Sequence, residues 1–213
     1  MISPRVRIAV AGFGPFPGVP KNPSGEIVRA IARIRRFRAA SIALDTAIFP
    51  TAYGAADAAL EKLIARKPDA IVLFGVAGRA KNIRVETIAR NRASILHPDH
   101  ARFTPLARKL SQDGVDLLKV RGPATQMRAA IRATGVKTEL STDAGSYLCN
   151  AMFYRALAAT AAFSPPPLTF FIHVPPVTAG AFSMKMLISA GEAAVWGAAN
   201  EAVKARFVPR RDG

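Results

Sequence analysis

Ala70-Ile71-Val72-Leu73-Phe74 is an unbroken apolar run, bounded by Lys67-Pro68 before it and Gly75 after it. A strand that is apolar at every position is buried on both faces, as in sheets covered front and back by helices. The segments on either side alternate in kind, which argues for an α/β layered fold. Upstream, residues 55–66 form a helical pattern with Leu60, Leu63 and Ile64 on its apolar face, and residues 41–49 read as a strand. Earlier still, Arg5-Val6-Arg7-Ile8-Ala9-Val10-Ala11 reads as a first strand emptying into the turn-rich Gly12-Phe13-Gly14-Pro15-Phe16-Pro17-Gly18. Asn22 then caps a helix whose first position is Pro23, and Ile27, Ile31 and Ile34 carry it to about residue 36.

Downstream, Ile83, Val85 and Thr87 alternate as a strand. Residues 94–121, with Pro98, Pro105 and Gly114, read as a long excursion holding short strands at most. Residues 125–133 are predicted helical, 136–141 a strand, 147–160 a helix, 168–174 an apolar strand and 184–206 a long helix. Ser164-Pro165-Pro166-Pro167 is a loop. There is no internal repeat and no domain boundary, so residues 1–213 read as one domain.

The composition excludes several classes of protein. Half the residues are hydrophobic, far from the profile of a disordered chain. The sole cysteine, Cys149, excludes an internal disulfide framework and a cysteine-built zinc site. No stretch reaches the roughly 20 apolar residues of a membrane span, and Met1 to Val10 lacks the apolar run of a signal peptide. The expectation is a soluble cytoplasmic protein. Thirty Lys and Arg against fourteen Asp and Glu leave a net charge of +16. That charge raises a second reading, a non-catalytic binder of acidic polymers with steeply salt-dependent affinity. However, the basic residues are scattered, and neither zinc-finger spacing nor an aromatic RNA-binding signature is present, so no specific nucleic-acid partner is expected.

Cys149 lies in Asp143-Ala144-Gly145-Ser146-Tyr147-Leu148-Cys149-Asn150, small residues leading into a helix. The positive end of a helix dipole and its free N–H groups suit a thiolate nucleophile and an oxyanion. A lone cysteine is equally a small buried hydrophobe. His173 ends the apolar strand at 168–174, and sites in α/β sheets form at such carboxyl ends. It is either a general acid and base for Cys149 or a hydrogen-bonded structural histidine. Glu86 is the one acid of Ile83-Arg84-Val85-Glu86-Thr87-Ile88-Ala89-Arg90-Asn91. It either orients an imidazole or pairs with Arg84 or Arg90.

Phe13 and Phe16 are either walls of an apolar pocket or core. Their loop lacks the glycine spacing and the Lys-Ser/Thr ending of a phosphate loop. His97 and His100 form a weak His-x-x-His pair, and no metal is expected.

Taken together, four blocks resemble the pyroglutamyl peptidase type I family of cysteine exopeptidases. They are Gly12-Phe13-Gly14-Pro15-Phe16 with Asn22-Pro23-Ser24, the stretch from Gly75 to Asn91, the Cys149 block, and Phe171-Ile172-His173-Val174-Pro175. The resemblance implies a single-domain three-layer α/β/α sandwich with a mixed, mostly parallel central sheet. It also implies removal of N-terminal pyroglutamate from peptides, no cofactor, and assembly as a homo-oligomer, a tetramer or dimer. In that family pattern Cys149 is the nucleophile, His173 the general acid and base, and Glu86 the orienting carboxylate. Phe13 and Phe16 match the aromatic walls around the lactam, and Asn22 matches a loop residue beside it. Val76 departs from the pattern: it stands where many members have a polar side chain against the lactam, and Arg79 arrives one position early. Where that contact needs the side chain, pyroglutamate affinity falls by about 1–3 kcal/mol. A cysteine hydrolase of the same fold acting on another acyl or lactam substrate is the alternative.

Overall fold

A computed structural model describes residues 6–16, 19–96, 98–177 and 182–207. Its elements run β1 Val6–Phe13, α1 Pro23–Ile31, α2 Arg35–Ala39, β2 Ile42–Phe49, α3 Tyr53–Ile64, β3 Ala70–Val76, β4 Ile83–Glu86 and β5 Ile88–Arg90. They continue with β6 Leu117–Lys119, α4 Ala124–Arg132, β7 Thr138–Ser141, α5 Leu148–Ala159, β8 Leu168–Val174 and α6 Met184–Phe207. The main sheet has the order β2-β1-β3-β8-β4-β7. All its neighbouring pairs are parallel except β4 on β8, so it is mixed and mostly parallel, as expected. The apolar run from Ala70 lies at its centre, between β1 and β8.

Side chains of a strand alternate between faces, and each face here has its own helices. Ile8, Val10, Val72, Phe74, Phe170 and Ile172 pack beneath α1, α4 and α6. Ala9, Ala11, Ile71, Leu73 and Phe171 pack beneath α3 and α5. The result is the three-layer α/β/α sandwich. Among the described residues no helix is long and apolar enough to cross a membrane.

Two local features differ from the sequence pattern, each through a tertiary contact. The helix begun at Asn22 ends at Ile31. Ile34 adopts φ −78 and ψ 105, and α2 starts afresh. The break turns Phe37 inward, where it is 1% exposed and stacks on Trp196 of α6 at 4.8 Å. Gly12 and Phe13 belong to β1 and not to the following turn, because β2 continues beside them and pairs Ile48 and Phe49 with them. A Cβ on Gly12 would overlap the Ser24 carbonyl, so glycine is what lets α1 pack this close to β1. Arg5, Pro17, Gly18 and His97, which the sequence reading also used, lie outside the described residues.

The excursion after β5 is tied down by buried polar side chains. Asp99 caps α3 from a distance, accepting from the Tyr53 N–H at 2.8 Å where Ala52 offers no capping oxygen. Asn150 of α5 accepts from the Arg90 N–H and donates to the Arg90 and Arg92 carbonyls, all at 2.8 Å, fixing the β5–β6 pair on that helix.

Candidate active site

Three separate elements meet on the α5 side of the sheet. On β8, Ile172 faces α1 and α6, so the next residue, His173, faces the opposite way. On β4, antiparallel to β8, Val85 pairs with Ile172, and Glu86 therefore shares the face of His173. Above that face α5 begins, with Cys149 in its first turn.

The contacts follow from this register. Nδ1 of His173 lies 2.8 Å from Oε1 of Glu86, and the Cys149 thiol acts on the same ring, its hydrogen bonding and charge both raising the imidazole's pKa. Glu86 is 0% exposed and His173 6%. Burial by itself lowers the histidine's pKa. The hydrogen bonds to Cys149 and Glu86, and the charges of both, outweigh it and push the imidazole up to about 9. Oε2 of Glu86 is buried with no hydrogen-bond partner among the described residues. A carboxylate so desolvated depends on a nearby positive charge, and the imidazolium is that charge.

Among the described residues Glu86 pairs with neither Arg84 nor Arg90. Arg84 binds Glu139 at 3.1 Å, and the ion-pair reading of Glu86 gives way to the histidine contact. The Phe171 ring closes one side of the imidazole, centroid to centroid 4.9 Å.

Gly75 is the residue that sequence reasoning overlooked. It pairs with His173 across β3 and β8. A Cβ there would lie 2.8 Å from the Cys149 sulphur and 2.8 Å from Cζ of Phe171, closer than real Cβ atoms approach. Only a residue without a side chain lets the thiol sit over the strand. Gly75→Ala is therefore expected to displace the sulphur and lower kcat by about 10²-fold, the usual cost of a misplacement near 1 Å. It should also destabilise the fold by about 1–3 kcal/mol through overpacking. Steady-state kinetics with a thermal melt checks both, and an unimpaired kcat would contradict the geometry.

Beside the thiol is a cavity of about 100 Å³, bounded by Phe13, Phe16, Asn22, Thr51, Val76, Tyr147, Leu148 and Cys149. It has room for one small ring, against about 300–1,000 Å³ for clefts that hold drug-sized ligands. All four pocket residues singled out in the sequence line it. Asn22, however, spends its polar atoms internally. Its Nδ2 donates to the Gly14 carbonyl at 2.9 Å, and its Oδ1 accepts from the N–H and hydroxyl of Ser24 at 3.1 and 2.8 Å. Thr51 donates to the Pro15 carbonyl, and Tyr147 to that of Pro98. Thr51 carried no local signal; Tyr147 and Leu148 were visible only as neighbours of the cysteine.

A thiol, an imidazole and a buried carboxylate gathered on one face of the sheet, at the carboxyl ends of strands and beside a small cavity, are the groups of a cysteine hydrolase. The matches to known proteins narrow the class. A family model described as pyroglutamyl peptidase matches residues 6–190. The chain is 32% identical over 171 residues to a pyrrolidone-carboxylate peptidase of Streptococcus suis, covering 80% of this chain and 78% of that one. It is 30% identical over 172 residues to the Bacillus subtilis protein of the same name, covering 80% and 79%. Among solved structures, the pyrrolidone carboxyl peptidase of Thermococcus litoralis superposes with a TM-score of 0.85 at 25% identity, over 96% of this chain and 99% of that one. Pyroglutamyl peptidase I of Bacillus amyloliquefaciens gives 0.80 at 27%, over 92% and 98%. The chain belongs to the pyroglutamyl peptidase family.

Proposed function

We propose that this chain removes an N-terminal pyroglutamyl residue from peptides, with Cys149 as nucleophile, His173 as general acid and base, and Glu86 as the carboxylate that orients the imidazole. The observation that carries this reading is the buried Glu86–His173 pair at 2.8 Å, on the face over which the Cys149 thiol sits at the edge of a ring-sized cavity. The Cys149 thiol passes its proton to His173, and the sulphur attacks the pyroglutamyl carbonyl carbon. Negative charge gathers on the carbonyl oxygen, near the first turn of α5, where no side chain caps the backbone N–H groups. His173 gives its proton to the departing amine as the C–N bond breaks, leaving a thioester. Water, deprotonated by His173, then attacks the thioester, and free pyroglutamate leaves as the thiol is restored. Phe13, Phe16 and Val76 flank the lactam, and Asn22, through the Gly14 carbonyl, holds the turn between Phe13 at the end of β1 and Phe16.

Hydrolysis of a pyroglutamyl-linked fluorogenic amide, with and without a thiol alkylating reagent, is the direct test. Turnover abolished by alkylation is the expected result, and no turnover from folded, reduced protein overturns the reading. The pH profile is a second test. His173 holds its proton up to about pH 9, so kcat/KM is expected to fall as pH rises through about 9. An alkaline limb near 6.5, the ordinary histidine value, would mean that the imidazole does not act from this hydrogen-bonded state.

We further infer a cytoplasmic homo-oligomer, a tetramer or dimer. A working thiol needs a reducing compartment. Leu96, Phe103 and Leu106 are 79%, 51% and 100% exposed on the excursion, an apolar surface suited to a second copy. Light scattering on a sizing column reads the state, and a monomer at micromolar concentration overturns the oligomer.

A further inference from the structure

The thiol pocket, at about 100 Å³, takes one ring, so the rest of a peptide substrate lies elsewhere. A second cavity, of about 990 Å³, shares Phe16 and Val76 with that pocket as common walls. Its other walls include Val19, Pro176, Val177 and Met184. We propose that this cavity receives the departing side of the peptide and selects an apolar side chain immediately after the scissile bond. The proposal rests on the peptidase reading above.

Three observations support it. First, β8 ends at Val174, one residue after His173, and the chain runs directly into Pro176 and Val177. His173 thus lies three residues before the cavity wall in the chain, while the shared walls Phe16 and Val76 join the cavity to the thiol pocket. Second, Val177 is 45% exposed, so the wall presents apolar surface that the described residues leave uncovered. Third, Pro20, Pro23 and Pro176 line the cavity and have no N–H to offer a peptide backbone. Recognition there works by burying a side chain and not by adding a strand. Charge is confined to Lys21 and Glu26, and Glu26 is engaged by Arg29 at 2.6 Å.

The test compares kcat/KM for two amidated peptides, pyroglutamyl-leucyl and pyroglutamyl-glycyl, on the wild-type chain and on Val177→Asp. The wild type is expected to prefer the leucyl peptide by at least about tenfold, the scale of small apolar differences in a pocket. In the variant the preference should shrink to within about threefold, through KM and not kcat. Met184→Lys repeats the measurement from another wall, should Val177→Asp disturb its loop. A wild-type preference near unity, or one that both variants leave intact, overturns the proposal. So does a change in the solution mass of Val177→Asp with the preference unaltered, which would assign the cavity to a second copy. Absence of turnover with either peptide and with the amide reporter overturns the peptidase reading itself, a result distinct from turnover without preference.

Discussion

Cys149→Ala is expected to lower turnover of a pyroglutamyl amide on the order of 10⁶-fold, the scale seen when a nucleophile is removed from a catalytic unit of this kind. Nothing else in the pocket replaces the sulphur. The remaining walls are apolar, or, as with Asn22, Thr51 and Tyr147, already donate to main-chain carbonyls. The fold should survive. Cys149 is only partly buried, and alanine suits the first turn of α5. A melting temperature within about 2–4 °C of the wild type, equivalent to roughly 1 kcal/mol in a chain of this size, would separate lost chemistry from lost structure. Retained turnover in a folded, homogeneous sample would remove the sulphur from the mechanism. His173 responds in the same variant. The Cys149 hydrogen bond and charge both help to raise its pKa, so its titration should move below about 9.

Glu86→Gln tests the other end of the series, with an expected loss of about 10⁴-fold in kcat, the scale for a carboxylate-to-amide change behind a catalytic histidine. The amide keeps the shape of the side chain but removes the charge that the buried imidazolium relies on. If its NH₂ faces Nδ1, it also forces the proton onto Nε2, where the thiol needs an acceptor. Stability should shift with a definite sign. The folded pKa of His173, about 9, lies above its ordinary value of 6.5, so the group adds stability that is full below 6.5 and disappears as pH rises through 9. Glu86→Gln should therefore destabilise most at neutral and mildly acidic pH, with the difference narrowing above 9. Thermal melts across that range, beside steady-state kinetics, read both effects. A kcat within tenfold of wild type would mean that Glu86 acts only as packing.

Much of the fold was legible because its signals are local. The continuous apolar run from Ala70 marked the central strand, and its neighbours showed where strand periodicity gave way to helical periodicity. Asn22 with Pro23 marked a helix start, and Asn22 does cap α1 through the Ser24 N–H. The four motif blocks carried the family, which the match over residues 6–190 bears out. What escaped was decided at a distance. The break before α2 depends on Phe37 meeting Trp196, about 160 residues later in the chain, and no local pattern encodes that contact. The excursion between β5 and α4 takes its shape from Asn91, which accepts from the N–H groups of Leu110 and Ser111 farther along it, and from Asp99, which reaches Tyr53 on α3.

The same division runs through the candidate site. Cys149, His173, Glu86 and the aromatic pair could be named as candidates from residue type and position, each beside a structural alternative, and the family resemblance supplied their proposed roles. Three of their properties could not be read there: that Glu86 faces His173 and not an arginine, that the thiol rests over Gly75, and that a second, larger cavity opens beyond Phe16 and Val76. Strand order and register set the first of these, since a shift of one residue on β4 would turn Glu86 to the opposite face. Close packing set the other two, because whether a Cβ or a substrate fits depends on atoms that approach only after the sheet and both helix layers have assembled. By itself, the sequence determined the layered fold and the family and named the candidate reacting groups, all written in local periodicity, motif blocks and residue chemistry. Only the tertiary structure decided which groups touch and what space surrounds them, because contacts between distant segments depend on register and packing.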